Sequence, residues 1–173
     1  GLAIAERRAA ADPSDGEALR DLSVSHDNAG DMLARQGEVA AALASYRAGL
    51  AIRERRAAAD PSDGEAQRDL SISHQRIGDM LAQQGDVAGA LVAYWKNHAI
   101  AERRAAADPS DGEAQRGLIV SRVKLSEVEP ARAAAHLAAA LAIAEALAAA
   151  GRLDPADAWM VEELRKRLRA AGG

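Results

Sequence analysis

Four histidines are the first residues to weigh for chemistry, because a neutral imidazole can ligate a metal or exchange a proton near pH 7. His26 and His74 stand 48 residues apart. That spacing puts them at equivalent points of neighbouring helices roughly 10 Å apart, close enough in principle to share a metal. A catalytic zinc needs three protein ligands, and no third donor accompanies them. The competing role is interior packing, each ring bonding a nearby Ser or carbonyl. Neither a metal nor a cofactor is expected.

No other constellation supplies a reaction. Phosphate loops of the GxxxxGK type, HExxH, GxSxG and paired CxxC are all missing from the sequence. With no cysteine there is no thiolate nucleophile and no disulfide framework, and the compartment stays open. The formal charge of −4 offers no basic field for nucleic acid, and aromatics at 2% cannot build a base-stacking platform. Charged residues interrupt every apolar run before the ~20 residues that cross a bilayer, so no membrane span is expected. A non-catalytic chain is the expectation.

Any site here must therefore be a surface, and repetition decides what surfaces exist. ERRAAADPSDGEA occurs at 6–18, 54–66 and 102–114. Identical segments at a fixed period mean stacked units rather than one closed globule. In each unit Pro disfavours helix at the residue before it, ending a helix near Ala11, Ala59 or Ala107. Ser14, Ser62 and Ser110 then precede Glu17, Glu65 and Glu113 by three, the spacing of a capping box with Ser as N-cap. Asp15, Asp63 and Asp111 add negative charge that suits the helix dipole.

A first long helix follows, with Ala18, Leu22, Ser25, Ala29 and Leu33 on one stripe and Ala66, Leu70, Ser73, Ile77 and Leu81 on its copy. Gly37 and Gly85 suit the left-handed residue that closes it. Val39, Ala42, Leu43, Tyr46, Leu50 and Arg53 mark a second helix. Each unit is thus a helical hairpin whose apolar flank only another hairpin can cover. The Arg pairs 7–8, 55–56 and 103–104 fall in closing turns, where the dipole favours positive charge over any binding role.

AGDMLARQGEVAAALASY (29–46) and IGDMLAQQGDVAGALVAY (77–94) resemble the tetratricopeptide repeat. Gly30, Gly37, Ala42 and Tyr46 match that family's small and aromatic positions, as do Gly78, Gly85, Ala90 and Tyr94. His26 and His74 stand where the family has Trp, Leu33 and Leu81 where it has Tyr, and the period is 48 instead of the family's 34. The resemblance implies an all-α, right-handed solenoid of elongated antiparallel hairpins, with the first helix of each unit lining a concave face.

If so, three columns face the groove: Arg20, Arg68 and Arg116; Val24, Ile72 and Val120; Asp31, Asp79 and Glu127, with Asp27 and Gln75 between. A basic rail, an apolar floor and an acidic rail would suit a peptide or partner helix. Equally, the charged columns could simply pair between neighbours, each exposed pair contributing ~0–1 kcal/mol. A second patch, Trp95, Asn97 and His98 within YWKNH, departs from YRAGL in the first unit and reads as either a contact site or surface drift.

The divisions expected are 1–12 (the end of a truncated unit), 13–60, 61–108, a shortened 109–151 and a capping helix in 152–173. In the shortened unit the first helix should end near Glu127, with Pro130 opening the next. In the cap, Trp159, Val161, Leu164 and Leu168 should face inward. The start inside a unit reads as an excised fragment. Its bare flank could serve a homodimer, the main alternative to an interaction scaffold, with a small-molecule sensor more remote.

Overall fold

The computed structural model describes residues 1–12 and 15–172, all-α with no strand among them. The helices are α1 (Leu2–Ala11), α2 (Gly16–Arg35), α3 (Val39–Ala59), α4 (Gly64–Gln83), α5 (Val87–Ala107), α6 (Gly112–Val128), α7 (Ala133–Ala149) and α8 (Trp159–Ala171). Short 3-10 turns at Pro130–Arg132 and Pro155–Asp157 open α7 and α8. Contacts divide the chain into two compact units, Gly1–Ala93 and Tyr94–Gly173, with the division inside α5.

Helix ends follow the local chemistry. α1, α3 and α5 stop at the Ala before each Asp-Pro, and Gly37 and Gly85 take φ of 79° and 81°. Those values are in the left-handed region that Gly enters at least cost. The helix starts differ from the capping box expected. The N-caps are Asp15, Asp63 and Asp111, whose Oδ1 atoms accept the amides two and three residues on at 2.9–3.1 Å. Ser62 and Ser110 instead give their amide and hydroxyl to Asp60 and Asp108, while Ser14 lies outside the described residues. A carboxylate accepts helix amides more strongly than a hydroxyl. The flanking Asp, one residue later, therefore displaces Ser from the cap.

In the first unit α1 packs on α2, α2 on α3 and α3 on α4. The α2–α3 pair is antiparallel: Gly30 meets Tyr46 while, further back along α2, Asp27 meets Arg53. A Cβ built on Gly30 would lie 2.6 Å from the Tyr46 ring, so glycine is what lets these helices close. The stripe of α2 turned to α3 is Ser23, Asp27 and Gly30, all buried. Leu22, Ala29 and Leu33, expected at the core, are only partly buried. Because α2 packs on both α1 and α3, one apolar stripe could describe only one of its sides.

In the second unit α6 packs on α7 and α7 on α8. Ile119, Leu137, Ala140, Ala144, Leu147, Met160 and Leu164 form the core. Met160 takes the inward place expected of Trp159, which is 61% exposed. Residues 130–149 are long and apolar enough, at a mean hydropathy of 1.4, to cross a membrane by length and composition, contrary to the expectation that no segment would be. Alanine accounts for most of that value, and the helix buries His136, Leu137, Ala140, Ala144 and Leu147.

Candidate interaction face

The face expected from the first helices of the hairpins is built, in the first unit, by α2 and α4. Arg20 donates to Glu65 at 2.7 Å and stands 3.9 Å from Asp69, while Arg68 lies 3.8 Å from Asp69. Both Arg side chains are also partly exposed, 45% and 42%. Val24 is 42% exposed, and Ile72, Gln75 and Asp79 are partly buried. Asp31 accepts the Tyr46 hydroxyl at 2.6 Å and lies 3.5 Å from Arg76. Burial first, and then that bond to a carboxylate, push the Tyr46 hydroxyl pKa well above its ordinary value. Arg20 and Asp31 thus join α2 to α4, and Val24 is the most exposed residue of the apolar column in this unit.

Asp27 belongs elsewhere. Only 8% exposed, it faces the interior and not the groove. Arg53, 4% exposed, grips it through two bonds of 3.0 and 2.8 Å and donates to Ser73 at 2.8 Å. Arg76 approaches the same carboxylate at 3.1 Å, with its guanidinium carbon 5.7 Å from the Tyr46 ring centroid. Gly49 makes the room, since a Cβ there would lie 3.2 Å from Asp27 Oδ1 and 3.4 Å from Arg53 Nη1. Two charges can be buried like this only when fork geometry and further hydrogen bonds compensate their lost hydration. Arg53 was expected on the stripe, but its partnership was not. Its signal is a paired departure: the positions 48 residues on are Gln75 for Asp27 and Ala101 for Arg53, so anion and cation change together.

In the second unit Arg116 donates to Asp157 at 2.7 Å, and Glu127 meets Arg167 at 3.3 Å and Lys124 at 3.5 Å. Val120 lines a mainly apolar cleft of about 110 Å³ between α6 and α8, walled by Ile119, Val123, Trp159 and Met160. The cleft has room for one apolar side chain.

Trp95, Asn97 and His98 do not make a surface patch. Asn97 and His98 are each 4% exposed, and Trp95 is partly buried. His98 Nδ1 lies 2.9 Å from the Ser121 hydroxyl, which itself donates to the Leu118 carbonyl, so the imidazole is the donor to Ser121. The Trp95 ring meets two imidazoles edge-on, His98 at 5.4 Å and His136 at 5.8 Å. His136 Nε2 bonds Glu129 at 3.0 Å. Burial, and secondarily the charge of Arg122, hold the His98 pKa below the ordinary value, while the His136 bond lowers that of Glu129.

His26 is partly buried and His74 buried. No group of three or more His, Cys, Asp and Glu placed to hold a metal occurs among the described residues. No protein-family model matches this chain, and no curated protein matches it in sequence.

Proposed function

We propose that the chain is a non-catalytic interaction module that binds a peptide or a helix of a partner protein along the face of α2 and α4. In this reading the hairpins are elongated tetratricopeptide-like units stacked as a right-handed solenoid, and α8 is the cap. The close fit of Gly30 on Tyr46, at a glycine and an aromatic position of that repeat, supports the assignment.

The observation that carries the functional reading is Val24. It leaves an apolar side chain 42% exposed on the stripe that also holds Arg20 and Asp31, whose own ion pairs fix the borders. An apolar centre with charged edges takes up apolar side chains and aligns the partner's charges. The test is capture of partners from the source cell by the chain and by a Val24→Asp variant of matched helicity. Loss of the captured proteins is expected for the variant. Recovery of the same set at the same yield would remove this face from consideration.

A further inference from the structure

The turn that joins α7 to α8 carries Asp-Pro-x-Asp at 154–157, as the turns before α4 and α6 do at 60–63 and 108–111, but its surroundings differ. In those two turns the first Asp takes both the amide and the hydroxyl of the Ser two residues on. The second Asp meets an Arg of the preceding helix, Asp63 with Arg56 and Asp111 with Arg104, each at 3.9 Å. Before α8 both donors have been replaced. Residue 156 is Ala, so Asp154 takes its amide with no hydroxyl to follow. AIAEALAAAG at 142–151 aligns with AIAERRAAAD at 99–108, which puts Leu147 where Arg104 stands. Gly151, Arg152 and Leu153 are inserted ahead of the Asp-Pro, and Asp157, 8% exposed, takes Arg116 of α6 at 2.7 Å in place of a cation from α7.

The exchange of Arg for Leu is accompanied by a hollow. A cavity of about 480 Å³ lies between the start of α6 and the 152–157 turn, within the roughly 300–1,000 Å³ of small-molecule sites. Ile119, Leu147 and Leu153 give it an apolar wall. Its charged lining is Glu113, Asp154 and Asp157 against Arg116 and Arg152, so carboxylates are in excess. Both cations are also engaged, Arg116 through Nε on Asp157 and Arg152 on the Pro109 carbonyl at 2.6 Å. No residue of α2 or α4 lines the hollow, so it is separate from the Val24 face and does not depend on it.

We infer that this hollow binds a small molecule bearing a guanidinium on a short aliphatic stem, which takes the place that Arg56 and Arg104 hold in the earlier joints. A guanidinium is planar with five N–H donors, so it can grip one carboxylate through two bonds and keep donors for a second, where an ammonium offers a point charge. Asp154 and Asp157 are the acceptors, each having lost the donor that its counterparts keep. The stem lies along Leu147 and Leu153, as the methylenes of an Arg lie along apolar surface.

The probe is L-arginine, titrated into the whole chain by calorimetry and by amide chemical shifts of residues 152–157. Saturable one-to-one binding that shifts Leu153 and Asp154 is expected. L-Citrulline, of the same length but with an uncharged urea head, should bind at least about tenfold more weakly. Leu147→Arg should abolish binding, because it restores the side chain of the earlier joints, where Arg56 and Arg104 are accommodated at 16% and 18% exposure. Asp154→Asn, on an exposed side chain whose oxygen still accepts from Ala156, should weaken binding at least about tenfold with helicity unchanged, and it decides the matter should Leu147→Arg fail to fold. No saturable binding of L-arginine overturns the inference, as does binding indifferent to Asp154→Asn. Citrulline binding as tightly as arginine would assign the affinity to the carboxylate end of the ligand, and so would overturn it too.

Discussion

Positions 49–53 read Gly-Leu-Ala-Ile-Arg and the register-equivalent 97–101 read Asn-His-Ala-Ile-Ala, and the interiors of the two units differ accordingly. The first unit buries an ion pair. Gly49 leaves space, Arg53 fills it, and Asp27 with Ser73 takes up both of its terminal nitrogens. The second buries two imidazoles around Trp95, each held by one hydrogen bond. One backbone pattern thus accommodates two kinds of polar interior. The first is intolerant of losing either partner; the second responds to protons through His98.

The largest expected effect tests the first half of that contrast. Asp27→Ala strands a buried cation and should cost about 3–5 kcal/mol. Both tryptophans, Trp95 and Trp159, lie in the second unit, so urea unfolding followed by helicity and by tryptophan fluorescence separates the units. The helicity curve should gain an early phase with the fluorescence midpoint unmoved. An unchanged helicity curve would mean that the pair is not buried as described. Replacing both residues, Asp27→Leu with Arg53→Met, should recover most of the loss, because apolar groups of similar size need no counter-charge.

Next in size is Gly30→Ala. Its Cβ would meet the Tyr46 ring at 2.6 Å, and overpacking of that kind costs about 1–3 kcal/mol, again in the first unit only. Smaller, and equal in the two units, is loss of a cap. Asp63→Ala and Asp111→Ala should each cost about 1 kcal/mol, and Ser62→Ala or Ser110→Ala less. A larger effect from Ser would restore the capping box that the geometry displaces.

The finest effect concerns pH. Because the folded state depresses the His98 pKa below 6.5, the unfolded chain binds more protons there, so stability is full above that value and declines as pH falls below it. Glu129, also depressed, adds a separate decline below about its ordinary 4.5. The fluorescence midpoint in urea should therefore fall between pH 7 and pH 5, and His98→Gln should flatten that slope while leaving the lower one. An unchanged slope in the variant would remove His98 from the contrast.

Helix ends were legible because they rest on local chemistry. Pro before a cap, Gly at a left-handed turn and the 48-residue period need only a few neighbouring residues to act. The choice of Ser as cap failed by one residue because two acceptors were adjacent and their competition depends on the turn formed. The candidate face was legible only as columns. Arg20, Val24 and Asp31 share a stripe by spacing alone, but whether their charges were spent on Glu65, Tyr46 and Arg76 depended on neighbouring helices. His98 and Asn97 looked like surface departures because a changed residue in a repeat does not say which way it faces.

By itself the sequence determined that the chain is helical, where its helices end and that its units repeat, since those follow from backbone dihedral preferences and hydrogen bonding within a few residues. Only the tertiary structure decided that Asp27 and His98 lie in the interior. The reason is burial: the energy of a charge or an apolar side chain depends on what excludes water from it, and that is contributed by helices distant in the chain.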